Sequence, residues 1–132
     1  MFNFSGTRPS NLGVSNGQFT APVPDSPNCV SSQAPTSDKE HYIAPLTVTG
    51  SASEAIAKIK AVVQAMERTE IIEETGDYLY AEFATKLMGY VDDVEFYADG
   101  GGTVQVRSAS RLGKSDLGLN RKRIEEIRSA LT

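Results

Sequence analysis

The sequence is poor in the residues that build redox and metal sites. Its 132 residues hold one cysteine, Cys29, and one histidine, His41. A single cysteine excludes an intramolecular disulfide framework. One residue of each type falls short of the usual structural zinc sets, so no metal or cofactor is expected. No run approaches the roughly 18 apolar residues of a membrane span. The start, MFNFSGTRPSN, lacks a basic segment followed by an apolar core, so it does not read as a secretory signal. The expectation is a cytoplasmic protein. The formal charge of −4 argues against general nucleic-acid binding, which favours a basic domain. The glycines at 100–102 lack G-x-G-x-x-G spacing, and no Walker, zincin or nucleophile-elbow pattern is present.

Proline is absent after position 45. All six prolines, Pro9, Pro22, Pro24, Pro27, Pro35 and Pro45, lie before that point. Proline fixes φ and removes a backbone donor, so neither a regular helix nor a central strand fits there. Residues 1–45 therefore read as an extended arm, with turns at Ser15-Asn16-Gly17 and Pro24-Asp25-Ser26-Pro27. Leu12, Val14, Phe19, Val23, Cys29, Val30, Tyr42 and Ile43 supply enough apolar surface to pin this arm to a domain formed by residues 46–132.

That domain has a legible order. His41–Thr49 reads as a short edge strand. Ser51 or Ser53 can cap a helix running to about Glu67, with Glu54 in its first turn and Ala52, Ala55, Ile56, Ile59, Val62, Val63 and Met66 on one stripe. Thr69–Thr75, Tyr78–Leu87, Val91–Ala98 and Thr103–Ser110 read as strands, and residues from about Asn120 to Ala130 as a final helix with Asn120 as its N-cap. The class is α+β, in the order β-α-β-β-β-β-α: an antiparallel sheet with two helices on one face. The register of the last hairpin follows from matching apolar positions, since a slip of one residue turns a strand over. It pairs Ala98 with Val104, Phe96 with Val106 and Val94 with Ser108, which sets Glu95 opposite Arg107 and Asp93 near Arg111.

The concentrated charge lies in RSASRLGKSDLGLNRKR, Arg107 to Arg123. It carries Arg107, Arg111, Lys114, Arg121, Lys122 and Arg123 against Asp116 alone, a net +5 in an acidic chain. Arg121, Lys122 and Arg123 fall in a first helical turn, where each cation is disfavoured by about 0.3–1 kcal/mol. Such a joint suits a small anionic ligand or an acidic protein surface, because helix N-termini and arginine forks both bind anions. The opposing interpretation is internal pairing with Asp92, Asp93, Glu95 or Asp116. Glu82, Asp93 and Glu95 could form a paired-carboxylate site, but with Arg107 opposite they read as ion-paired. A reading from another class is an enzyme with a cleft under the arm, using Cys29 with His41 as base, or serine and carboxylate groups. In a third reading the chain is a purely structural or interaction domain. The oligomeric state is open.

Three segments, PDSPNCVSSQ, YVDDVEF and RSASRLGKSDLGLNRKRIEEIR, together resemble the family catalogued as domain of unknown function 1499. That family occurs in bacteria, including cyanobacteria, and in plants. The resemblance runs from about Asp25 to the C-terminus. It implies no established activity and no cofactor; many relatives look exported or membrane-attached, which this chain does not. It marks Pro27, Asn28, Cys29, Val30, Ser31 and Ser32, then Asp92 and Asp93, then Arg107, Ser108, Ser110, Arg111, Asp116, Gly118, Asn120, Arg121 and Arg123. Taken with the charge pattern, the expected ligand-binding set is Arg107, Ser108, Ser110, Arg111, Asn120, Arg121 and Arg123. Asn28, Ser31, Ser32, Asp92, Asp93, Glu95 and Asp116 would support it.

Overall fold

A computed structural model describes residues 6–86, 89–112 and 118–132. These form eight strands and two helices: β1 (Val14–Ser15), β2 (Gln18–Phe19), β3 (Cys29–Ser31), β4 (Leu46–Thr47), α1 (Ala52–Ala65), β5 (Thr69–Glu74), β6 (Tyr78–Ala84), β7 (Val91–Ala98), β8 (Thr103–Ser110) and α2 (Leu119–Ala130). The class is α+β, as expected. The main sheet is antiparallel in the order β3-β8-β7-β6-β5, and β4 also pairs with β8. Among the described residues no helix is long and apolar enough to cross a membrane.

Helix α1 starts as its sequence dictates. Ser51 Oγ accepts from the Glu54 N–H at 3.2 Å, and the Glu54 carboxylate accepts from the Ser51 N–H at 2.9 Å, a reciprocal capping box. Ala55, Ile56, Ile59 and Val63 are its buried stripe. The helix stops at Met66, whose backbone is extended, and Arg68 turns the chain with a left-handed φ of 58°. Thr69 Oγ1 then shares its proton between the Val63 and Met66 carbonyls at 3.0 and 3.2 Å, at a helix end whose last carbonyls lack intrahelical partners.

The β7–β8 register is the expected one at every position: Val94 faces Ser108, Glu95 faces Arg107, Phe96 faces Val106 and Ala98 faces Val104. Alternation sends Leu79, Ala81, Phe83, Val94, Phe96, Val104 and Val106 into a core shared with Ile56, Ile59, Ile124 and Ile127 of the helices. Burying each large aliphatic side chain stabilises the fold by about 1.5–3 kcal/mol.

The structure adds one strand to the main sheet and a separate two-stranded hairpin. Cys29–Ser31 lies antiparallel to β8, with Val30 opposite Ser108 and Ser31 opposite Arg107. The prolines near it lie outside the strand, where they do not interrupt the ladder. The strand expected over His41–Thr49 shrinks to Leu46–Thr47, because Tyr42 makes only an isolated parallel bridge to Ser31. β1 and β2 form a hairpin whose turn residues, Asn16 (φ 54°) and Gly17 (φ 77°), have the left-handed backbone that tight hairpins need.

Candidate functional site

The expected site residues fall into two polar clusters on opposite faces of the sheet. Successive residues of a strand point to opposite sides, so Asp92 and Asp93 part company.

The first cluster lies on the face away from the helices. Arg111 holds Asp93 through two bonds, Nε to Oδ2 at 2.9 Å and Nη2 to Oδ1 at 2.8 Å, and Nη2 also reaches Glu82 at 2.5 Å. Tyr80 donates its hydroxyl to Asp93, and Arg8 from the N-terminal segment donates to Glu82 at 2.6 Å. The Arg111 guanidinium is pushed up, first by its bonds to Asp93. Burial works against the Glu82 charge, yet the bonds from Arg8 and Arg111 outweigh it and lower its pKa. Beside it Glu95 is wholly buried and accepts from the Tyr78 hydroxyl at 2.7 Å and the Gly13 N–H at 2.9 Å. Burial raises the Glu95 pKa against those two donors and Arg107. Arg107 stands 3.6 Å from Glu95, and its Nη2 donates at 2.8 Å to the Pro22 carbonyl. The long pair and the good bond decide its role: Arg107 holds the Pro22 backbone against the sheet.

The second cluster lies on the helix face, under the first turn of α2. Asn120 is fully buried. Its Oδ1 accepts from Ser108 Oγ and from Arg123 Nη1 at 2.8 Å, while its Nδ2 donates to Ser110 Oγ at 2.9 Å and the Asn28 carbonyl at 3.2 Å. Arg123 also meets Asp92 at 2.7 Å and covers the Phe83 ring at 4.9 Å from its centroid. The expected N-cap role of Asn120 is corrected here. The N-cap is Gly118, with φ 79° and no side-chain cap bond, and α2 begins at Leu119. Asn120 sits inside the first turn because its amide matches two donors and two acceptors below the helix.

The supporting residues also serve the fold. The Asn28 carbonyl accepts from the Ser110 N–H at 3.0 Å. Ser31 Oγ accepts from the Gln33 N–H at 3.1 Å, and Ser32 Oγ donates to Gln105 and accepts from the Val106 N–H. Asp92 and Asp93 do orient arginines, but Arg123 and Arg111 respectively. Asp116 and Lys114 lie outside the described residues.

Cys29 has no solvent exposure, and its Sγ lies 3.8 Å from the Val30 carbonyl. His41 directs Nδ1 to Asp38 at 2.7 Å and Nε2 to the Ser26 carbonyl at 2.8 Å. Both partners only accept, so both ring nitrogens must carry protons to satisfy them. That geometry leaves neither nitrogen to deprotonate a thiol. It equally leaves no lone pair for a metal, although Asp38, Glu40 and His41 gather within 4.8 Å.

What remains of the basic joint is smaller than the charge count suggests. Arg121 turns away to the Lys39 and Glu40 carbonyls, at 3.3 Å each. Lys122 is exposed and lines an open cleft of about 410 Å³ with Arg68, Lys86 and Arg123. Met66, Phe83 and Leu119 form apolar lining, and Glu67 and Glu126 are the acids there. Glu67 is paired with Arg68 at 2.9 Å. Another cleft, of about 420 Å³ beside the β1–β2 hairpin, presents Glu73 and Asp77 with Tyr78 and Tyr97, the wrong sign for an anion. Sequence reasoning did not find Arg68 and Lys86. They stand together just beyond the open end of the β5–β6 hairpin: Arg68 lies in the turn after α1, and Lys86, expected inside a strand over Tyr78–Leu87, falls past its observed end at Ala84.

A family model described as protein of unknown function (DUF1499) matches residues 20–131, nearly the whole chain. The chain belongs to the DUF1499 family. The DUF1499 match takes in both polar clusters and the cleft, and leaves out Arg8 and Gly13, which touch the first cluster from the N-terminal side. No curated protein matches the chain.

Proposed function

We propose that this DUF1499 protein is a non-catalytic module that binds a small anion in the cleft beside the first turn of α2. One observation carries the reading: Lys86 and Lys122 face that cleft with Arg68, while Arg107, Arg111 and Arg123 are paired with carboxylates inside the fold. In a chain of net charge −4 this is a local reversal of sign. Lysines at such a rim act as point charges, so they select a head group by its charge and do not require the planar geometry that an arginine fork matches.

The test is an NMR titration of the full chain with sodium phosphate and with acetate at low ionic strength. Shifts are expected in the amides of Thr85, Lys86 and Lys122, and they should fade as added salt screens the rim. Lys122→Glu should remove the response. A titration in which neither anion moves these amides refutes the proposal. The outcome would then favour a second reading, an interaction or structural domain, which the internal pairing of the three arginines already supports.

A further inference from the structure

The basic cleft does not end at its rim. It shares Met66 and Glu126 with a groove of about 470 Å³ between α1 and α2. The rest of that groove is lined by Ala61, Val62, Ala65 and Ala130, so all its lining except Glu126 is apolar. The spacing makes it a channel along the helices. Lys122, Glu126 and Ala130 follow each other at intervals of four on α2, and Ala61 with Ala65, and Val62 with Met66, do the same on α1. Arg68, just beyond the end of α1, and Lys122, near the start of α2, meet at the same mouth. The row from Lys122 to Ala130 covers about 12 Å of helix axis. Single exposed alanines are ordinary on any surface. Here Ala61, Ala65 and Ala130 are all exposed along one groove, and the groove opens on cations.

We infer that the ligand is an amphipathic anion: one linear apolar chain in the groove between the helices, with its anionic head at Lys86 and Lys122. The inference rests on the anion reading above and specifies its class. Charge complementarity sets the direction. The head belongs at the lysines, and the chain runs towards Ala130, where the lining carries no charge. Glu126 stands at the junction and repels an anion there, which holds the head on the lysine side. Binding should therefore tighten when that acid is neutralised.

The experiment compares octanoate, acetate and 1-octanol with the full chain, by calorimetry and by amide shifts. Octanoate is expected to bind at least about tenfold more tightly than acetate, the gain from burying a few methylenes, and more tightly than octanol. Glu126→Gln should tighten octanoate. Ala65→Gln, a polar change at an exposed helical position, should bring octanoate down to the level of acetate while leaving acetate unchanged. Equal binding of octanoate and acetate overturns the chain and leaves the anion site standing. Equal binding of octanoate and octanol overturns both the head group and the anion reading beneath it. No response to any of the three also overturns both.

Discussion

Replacing Asn120 with serine separates two roles that the residue type alone cannot. As an N-cap, serine is about as good as asparagine, and the change would cost no more than a few tenths of a kcal/mol. As a buried hub the outcome differs, because the serine hydroxyl is too short to span the cluster. Oδ1 is lost to Arg123 Nη1 and Ser108 Oγ, and Nδ2 is lost to Ser110 Oγ and the Asn28 carbonyl. Two of these groups keep a second partner: Arg123 Nη1 lies 3.3 Å from Ser108 Oγ, and the Asn28 carbonyl still accepts from the Ser110 N–H. The loss is therefore less than four full bonds. Each buried polar group left short of a partner costs about 1–3 kcal/mol, so the sum is about 3 kcal/mol. In a chain of this size that lowers Tm by roughly 10 °C. Urea unfolding followed by circular dichroism, with a thermal scan, measures both. If Asn120→Ser stays within about 0.5 kcal/mol of wild type, the hub account of this residue is wrong.

Two further outcomes follow from the same geometry. Arg111→Ala leaves Asp93 buried without its guanidinium, and should cost about 3–5 kcal/mol in urea unfolding; Arg111→Lys should rescue little, since an ammonium cannot make the two parallel bonds, whereas Arg8→Ala, at an exposed pair, should leave stability near wild type. His41 gives a pH signature: burial opposes its charge, but the Ser26 carbonyl and the Asp38 and Glu40 carboxylates outweigh burial and raise its pKa above the ordinary value. Its contribution to stability is thus complete below about pH 6.5 and is lost as pH rises through the higher folded value. Wild type should lose stability relative to His41→Ala as pH rises above about 6.5, and parallel curves would refute a raised pKa in the fold.

The parts of this fold that the sequence made legible are those where one face of a regular element is apolar. The stripe of α1 and the alternation of β6, β7 and β8 each admit one orientation, and the apolar matches across β7–β8 leave one register. The position of Ser108 on the helix face followed directly. β3 was hidden because it is three residues long and is recognisable only by its partner, β8. Asn120 had the right chemistry for a cap, but capping is decided by backbone angle, and the left-handed turn falls two positions earlier at Gly118. The cleft was hidden for a different reason. Its cations come from a turn after α1, the end of β6 and the start of α2, and only the packing of α2 over the sheet brings them together.

The three cations at the start of α2 looked misplaced because they oppose the helix dipole. The structure resolves two of them by different means. Arg123 folds under the helix to Asp92, a carboxylate supplied by the sheet, and lies over Phe83. Arg121 reaches the backbone carbonyls of Lys39 and Glu40, which carry the partial negative charge that the helix start lacks. Asp92 can serve α2 because its neighbour Asp93 points to the opposite face and serves Arg111 there. A pair of adjacent aspartates in one strand thus anchors the helix on one side and the Arg111–Glu82 network, joined by Arg8, on the other. This arrangement explains why the two acids stand side by side without repelling each other: each has its own guanidinium, and the sheet lies between them. Only Lys122 keeps an exposed charge in that first turn. An exposed cation at a helix start costs only about 0.3–1 kcal/mol, so Lys122 can stand there solvated; under the anion proposal, the cleft it shares with Lys86 and Arg68 is where an external charge would offset that cost.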